Sequence, residues 1–374
     1  MSTRFLANIK INNNNQKRKS LNYIAFIKFM AMIKIIKWHI YSWKKRKFDY
    51  GARMCEFLFI ASGFLVGYNH YNRNMPSDYE TSIKYTYKHL RTFYPLECFN
   101  IIYGFYRKHH KHFNLTDFEI LLSNFFLIKP WSRHTGLVQY FTGISWFLSD
   151  LLFCYFLVPF LLKGINQIKK SLILFLIVSC IRISIEEIVH NGGINLFDAD
   201  FHRGPFIRLL EFYLGMLLIP TFYLFKNNFD IFTKSFSLKI FFTFIQISFP
   251  SISYFIMLKY NDKLYRCYFV LIFCVFIFII SNDYGYLSNI FAHKLFVKIM
   301  SCQMEIYLIQ NTMNNIIDDF QKTMQFSVQL NSELKFLSKL IIIFIAGYLY
   351  KILLKEKLAN FMDKLILKFK KLFL

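Results

Sequence analysis

The chain has 374 residues, 55% of them hydrophobic, with a formal net charge of +24 and a mean hydropathy of +0.33. Apolar runs recur along almost its whole length, which excludes an ordinary soluble domain of this size and points to a chain that lives in lipid. So positive a soluble protein would suggest nucleic acid, but here the basic residues sit between and beside apolar runs, where they set orientation, and no nucleic-acid partner is expected.

About ten segments have the roughly 17 to 22 residues a helix needs to cross the hydrocarbon layer. They lie near 21–40, 53–70, 87–106, 146–163, 171–189, 206–225, 237–257, 264–281, 297–313 and 333–354. The expected fold is an all-α polytopic integral membrane helix bundle of about ten transmembrane helices. Residues 1–20, with INNNNQKRKS, form a basic polar tail that cannot bury a core, and 21–354 form the membrane domain. Residues 355–374, KEKLANFMDKLILKFKKLFL, alternate apolar and basic groups at helical spacing, as in a helix lying on an anionic membrane surface. The first apolar run is long, carries lysines and lacks a following cleavage site, so it is expected to remain as the first helix. A modest excess of Lys and Arg puts both termini in the cytoplasm, and the expected location is the cell's inner, cytoplasmic membrane. The basic loops SWKKRKFDYGAR and FYRKHHKH would then be external. Cys55, Cys98, Cys154, Cys180, Cys267, Cys274 and Cys302 fall in or beside the spans without CxxC spacing, as packing residues do.

In the first segment, LNYIAFIKFMAMIKIIKWHI, Lys28 and His39 are eleven residues apart. That is about three turns, so both share one helical face about 16 Å apart along the axis. Ionisable groups in a span are costly and are functional candidates by default. His39 can be a general base, a metal ligand or a structural hydrogen-bonding group, and Lys34 and Lys37 point to the other side, free to snorkel or pair with neighbours. In the second segment, GARMCEFLFIASGFLVGY, Glu56 lies near the outer end. In an antiparallel pair it would sit at a depth similar to His39, where it could orient or protonate the imidazole. Ser62 and Gly63 at mid-span allow close approach of a neighbouring helix or of a thin ligand chain.

Lys88 and Arg91, in KYTYKHLRTFYPLE, are one turn apart at the cytoplasmic start of the third segment, where they can hold phosphates or simply set topology. The cluster His109, His110 and His112 lies among like charges that disfavour a cation, and reads as a solvated loop; no metal is expected. Asp150, Arg208 with Glu211, Glu305 and Gln310 read as polar stitching between helices, with Arg208 and Glu211 neutralising each other. The longest interruptions, about 71–86, 107–145 and 314–332, are too short for a separate catalytic domain.

Taken in order, these segments resemble the membrane acyltransferase-3 family, O-acyltransferases that modify surface polysaccharides. Lys28 and His39 fit the family's pattern of a basic residue, ten intervening residues and His. EFLFIASGFLVGY is similar to its FFxxSGF segment, KHLRTFYP to its basic-x-x-Arg motif, SWFLSDLLFCYFLVP to its WFL...Y..P segment, RLLEFYLGMLL to RxxEFxxGM and SCQMEIYLIQN to S...EIYLxH. Gln310 stands where the family usually has His.

The resemblance implies transfer of an acyl group, most often acetyl, from acetyl-CoA or another acyl-CoA to a sugar hydroxyl of a surface or exported glycan or a lipid-linked sugar. The extracellular esterase-like domain fused to some relatives is expected to be absent. On this reading His39 is the base that takes the hydroxyl proton, or a nucleophile that is transiently acylated. Lys28 stabilises the thioester oxyanion or binds a polar group of the donor, Glu56 supports His39, and Lys88 and Arg91, with Ser62 and Gly63 beside the passage, hold the donor. Two alternatives remain: a transporter, flippase or polymerase of lipid-linked glycans with Lys28, Glu56, Asp150 and Glu305 along its pathway, and a degenerate relative that only binds or scaffolds. The oligomeric state is not legible.

Overall fold

The computed structural model describes residues 21–40, 50–73, 75–108, 115–131, 143–190, 203–229, 235–259, 268–281, 284–323 and 332–373. The basic tail 1–20, most of the loop after the first helix, the His109–His112 cluster and Cys267 lie outside the described residues. Among those described there is no strand. The helices are α1 (Asn22–Ile40), α2 (Tyr50–His70), α3 (Tyr79–Lys108), α4 (Leu115–Phe125), α5 (Ser145–Leu161), α6 (Ile168–His190), α7 (Pro205–Leu217), α8 (Ile219–Phe229), α9 (Phe236–Lys259), α10 (Phe269–Ile280), α11 (Tyr286–Phe291), α12 (Lys294–Met300), α13 (Gln303–Thr323), α14 (Ser332–Leu353) and α15 (Lys355–Phe373).

Where described, every expected apolar segment is mostly helical. Among the described residues four stretches, Ser145–Ile165, Pro205–Lys226, Phe236–Ser253 and Glu333–Leu353, are long and apolar enough to cross a membrane by length and composition. α1, α2, α3, α6 and α13 are as long as a span needs but do not reach the same standard of apolarity. The sixth segment is broken at Leu218, because Pro220 lacks the amide hydrogen and its ring crowds the preceding turn. The ninth begins as α12, which ends at Met300, before α13 starts at Gln303. α3 begins about two turns before the expected third segment. Asp78 accepts a hydrogen bond from the Thr81 amide at 2.7 Å, capping donors the first turn leaves unpaired and keeping the Asp78 carboxyl below its usual range.

Two glycines set the tightest contact in the bundle. A methyl group at Gly63 would meet the Phe212 carbonyl oxygen at 1.8 Å, and one at Gly215 would meet the Ile60 carbonyl oxygen at 1.9 Å. α2 and α7 therefore touch backbone to backbone, as small residues permit between helices in lipid. On α1, Ile24, Met32, Ile35 and Ile36 recur at helical spacing and are fully buried. α5 and α7 lie inside, whereas α9 and α14 expose most of their apolar side chains. Phe244 is 67% exposed, and with Phe241, Ile247 and Phe255 it gives α9 a face suited to hydrocarbon rather than water.

Candidate active site

Two polar regions occupy the bundle. The first is a cavity of about 330 Å³ lined by Lys28 of α1, Ser62 and His70 of α2, Lys88 and His89 of α3 and Tyr155 of α5, among others. Lys28 donates a hydrogen bond to the Ser62 hydroxyl at 3.0 Å. Three of the residues singled out in the sequence, Lys28, Ser62 and Lys88, thus meet around one space. Lys88 is exposed to solvent. The cavity wall is aromatic: the His89 ring lies 4.3 Å from that of Tyr155 and 5.0 Å from that of Tyr85. A basic, aromatic-lined pocket suits a thin polar chain.

Gly63 and Arg91, though expected at the same site, are engaged otherwise. Gly63 faces Phe212 in the α2–α7 contact, so its small size serves helix packing. Arg91 pairs with Asp363 of α15, and the Tyr87 hydroxyl donates to the same carboxylate at 2.6 Å. Asp363 is 272 residues away in sequence, and no local pattern could have announced it.

The second region is an ionic core. Arg53 donates to Glu56 at 2.6 Å and to Glu186 at 2.9 Å. Arg182 donates to Glu186 at 2.7 Å and to Glu211 at 2.8 Å, and lies 3.6 Å from Glu56. Arg208 pairs with Glu211, as the three-residue spacing suggested, and its guanidinium stands 5.5 Å from the Phe59 ring centre and 5.6 Å from that of Trp146. All six charged side chains are buried. They join α2, α6 and α7, and each charge has opposite-charge partners, which is the condition for keeping it out of water. Sequence reasoning missed Arg53, Arg182 and Glu186. Their signal was present as Arg53 three residues before Glu56 and Arg182 four before Glu186, ion-pair spacings inside apolar runs.

His39 sits in the last turn of α1, half-buried, its ring 4.9 Å from that of Trp38. Trp38 in turn fills the space a side chain at Gly51 would need. The two contacts, Lys28 to Ser62 and Trp38 to Gly51, fix the register of α1 against an antiparallel α2. Glu56 is six residues, about 9 Å, outward of Ser62, while His39 is about 16 Å outward of Lys28. The carboxylate therefore lies roughly 7 Å deeper than the imidazole, rather than level with it. Between Lys28 and His39 on the same face, Met32 and Ile35 are fully buried.

The remaining polar groups divide. Glu305 accepts a hydrogen bond from Lys355 at 2.6 Å, and Lys37 reaches Glu333 of α14 at 2.9 Å, both stitching helices together. Asp150 and Gln310 do not: each is buried, and among the described residues neither side chain has a hydrogen-bond partner. Of the described cysteines, Cys55, Cys154, Cys274 and Cys302 are buried, while Cys180 is exposed.

The family model Acyl_transf_3, an acyltransferase domain, matches residues 21–357. No curated protein and no solved structure matches the chain.

Proposed function

The chain belongs to the acyltransferase-3 family and is a membrane acyltransferase, and from that premise we propose that it moves an acyl group, acetyl first among them, from a coenzyme A thioester on the cytoplasmic side to a sugar hydroxyl of an exported glycan. The bundle on this reading spans the inner membrane about ten times with both termini in the cytoplasm. The observation that carries the proposal is the Lys28–Ser62 hydrogen bond inside a cavity that Lys88 also lines.

Lys88, an exposed residue of the cavity's lining, lies on the side assigned to the cytoplasm. Lys88 attracts the donor's phosphates there, and Arg91, once parted from Asp363, adds a forked contact one turn farther along. The pantetheine arm enters past His89 and Tyr155. Of the two roles open to Lys28, the register favours binding a polar group of the arm. A lysine about 16 Å from His39 cannot also touch the carbonyl that His39 serves. Met32 and Ile35 close the face between them, so the arm must displace Met32, an unbranched and adaptable side chain. At the outer end, His39 takes the proton of the sugar hydroxyl as its oxygen attacks the thioester carbonyl. The carbon–sulfur bond then breaks and the imidazolium returns its proton to the leaving thiolate. Glu56, held by Arg53 and Arg182, acts on His39 through the field of the ionic core.

Purified protein incubated with labelled acetyl-CoA and a glycan acceptor tests the class of activity. Label in the glycan is the expected result, and its absence with folded wild-type protein overturns the reading, a transporter or scaffold being what would then remain.

A further inference from the structure

The C-terminal helix is tied to the residue that the donor's phosphates would need. α15 follows α14 after one residue, Leu354. Its first turn is anchored by Lys355, which donates to Glu305 at 2.6 Å and stands 5.0 Å from the Phe93 ring centre. Two turns on, Asp363 pairs with Arg91 and accepts the Tyr87 hydroxyl. Arg91 and Asp363 are only partly buried, so the distal contact can open while Lys355 holds the hinge.

The same helix has a second place to go. It carries six lysines against two acidic residues, and Phe361 and Leu367 are 56% and 59% exposed, with Ile366 exposed as well. A basic helix with exposed Phe and Leu binds an anionic lipid surface by charge and apolar burial together.

We propose that α15 partitions between Arg91 and an anionic lipid surface, and that Asp363 thereby competes with the acyl donor for Arg91. This rests on the coenzyme A thioester being the donor. A carboxylate on the guanidinium blocks part of the forked contact a phosphate would make and repels the phosphate as well. Anionic lipid draws the helix away, Arg91 is released, and the donor binds more tightly. Coupling is reciprocal, so the donor must also loosen the distal half of α15.

Full-length protein is placed in bilayers of phosphatidylcholine alone or mixed with phosphatidylglycerol, and coenzyme A binding is titrated for wild type and Asp363→Asn. In the neutral bilayer the variant is expected to bind about five- to tenfold more tightly, a usual size for such coupling. The anionic bilayer is expected to raise wild-type affinity toward that of the variant and to leave the variant unchanged, which separates the effect from simple repulsion of coenzyme A by the membrane. Hydrogen exchange across 356–373 is expected to rise with coenzyme A in the neutral bilayer. Equal or weaker binding by Asp363→Asn overturns the proposal and makes Asp363 a support for Arg91. A lipid response that persists in the variant, or exchange unmoved by coenzyme A, overturns it equally. If wild type binds no coenzyme A in either bilayer, the donor reading fails and the competition with it, which exchange in lipid alone distinguishes from loss of the helix–lipid contact.

Discussion

The Lys28 ammonium donates to the Ser62 hydroxyl at 3.0 Å across the α1–α2 interface, and this bond joins a charge that is costly in lipid to a cavity that Lys88 also lines. Lys28→Met removes the charge and keeps most of the side-chain volume. The donor KM is expected to rise at least tenfold with a smaller fall in kcat, because the lost contact is made alike in the ground and transition states. Ser62→Ala is expected to raise KM by severalfold only. A fall in kcat at constant KM for Lys28→Met would return the lysine to the reacting carbonyl.

Gly63→Ala places a methyl group 1.8 Å from the Phe212 carbonyl oxygen, against backbone that cannot step aside. The expected cost is about 1–3 kcal/mol or more, seen as a lower unfolding temperature in detergent. Gly143→Ala, whose methyl group meets only the Asn311 amide at 3.3 Å, is expected to melt near wild type. Equal melting of the two variants would contradict the backbone contact.

Glu186 accepts from both Arg53 and Arg182, so Glu186→Gln leaves two buried guanidinium groups short of one negative charge. Breaking a buried pair by removing one partner costs about 3–5 kcal/mol. The unfolding temperature of Glu186→Gln is expected to drop well below that of an exposed control such as Glu80→Gln. A melt like wild type would mean the core is held by other contacts.

Arg107 and Asp319 link α3 to α13 outside the spans, with Nε to Oδ2 at 2.8 Å. The Arg107 hydrogen bond holds the Asp319 carboxyl below its usual range. A lowered folded-state pKa stabilises fully above the unfolded value, about 3.9, and is lost as pH falls through the folded one. The difference in unfolding temperature between wild type and Asp319→Asn is therefore expected to be constant from pH 7 to about 5 and to fade only below about pH 4. A difference that shrinks between pH 7 and 6 would point to another group.

What the sequence made legible follows from what is local in it. Helical segments, the shared face of Lys28 and His39 and the Arg208–Glu211 pair depend on spacing along one helix. Lys28, Ser62 and Lys88 each stood out within its own segment, but that they line one cavity is a property of the fold. The register of α1 on α2, which sets Glu56 deeper than His39, depends on Trp38 meeting Gly51 across the interface between the two helices and has no signature in either segment alone. Arg53 with Glu186 and Arg91 with Asp363 join positions 133 and 272 residues apart, and a single sequence holds no trace of such pairings. The early start of α3 was readable at Asp78, an N-cap residue three before Thr81.

The account turns on His39 as the group that activates the acceptor while the donor is held elsewhere. The most direct measurement compares wild type and His39→Ala in one lipid preparation, following acetyl transfer from labelled acetyl-CoA to glycan alongside coenzyme A binding. The variant is expected to bind coenzyme A within about twofold of wild type and to lose at least a hundredfold in transfer, the scale of a removed general base. Transfer at the wild-type rate by folded His39→Ala protein would contradict the account.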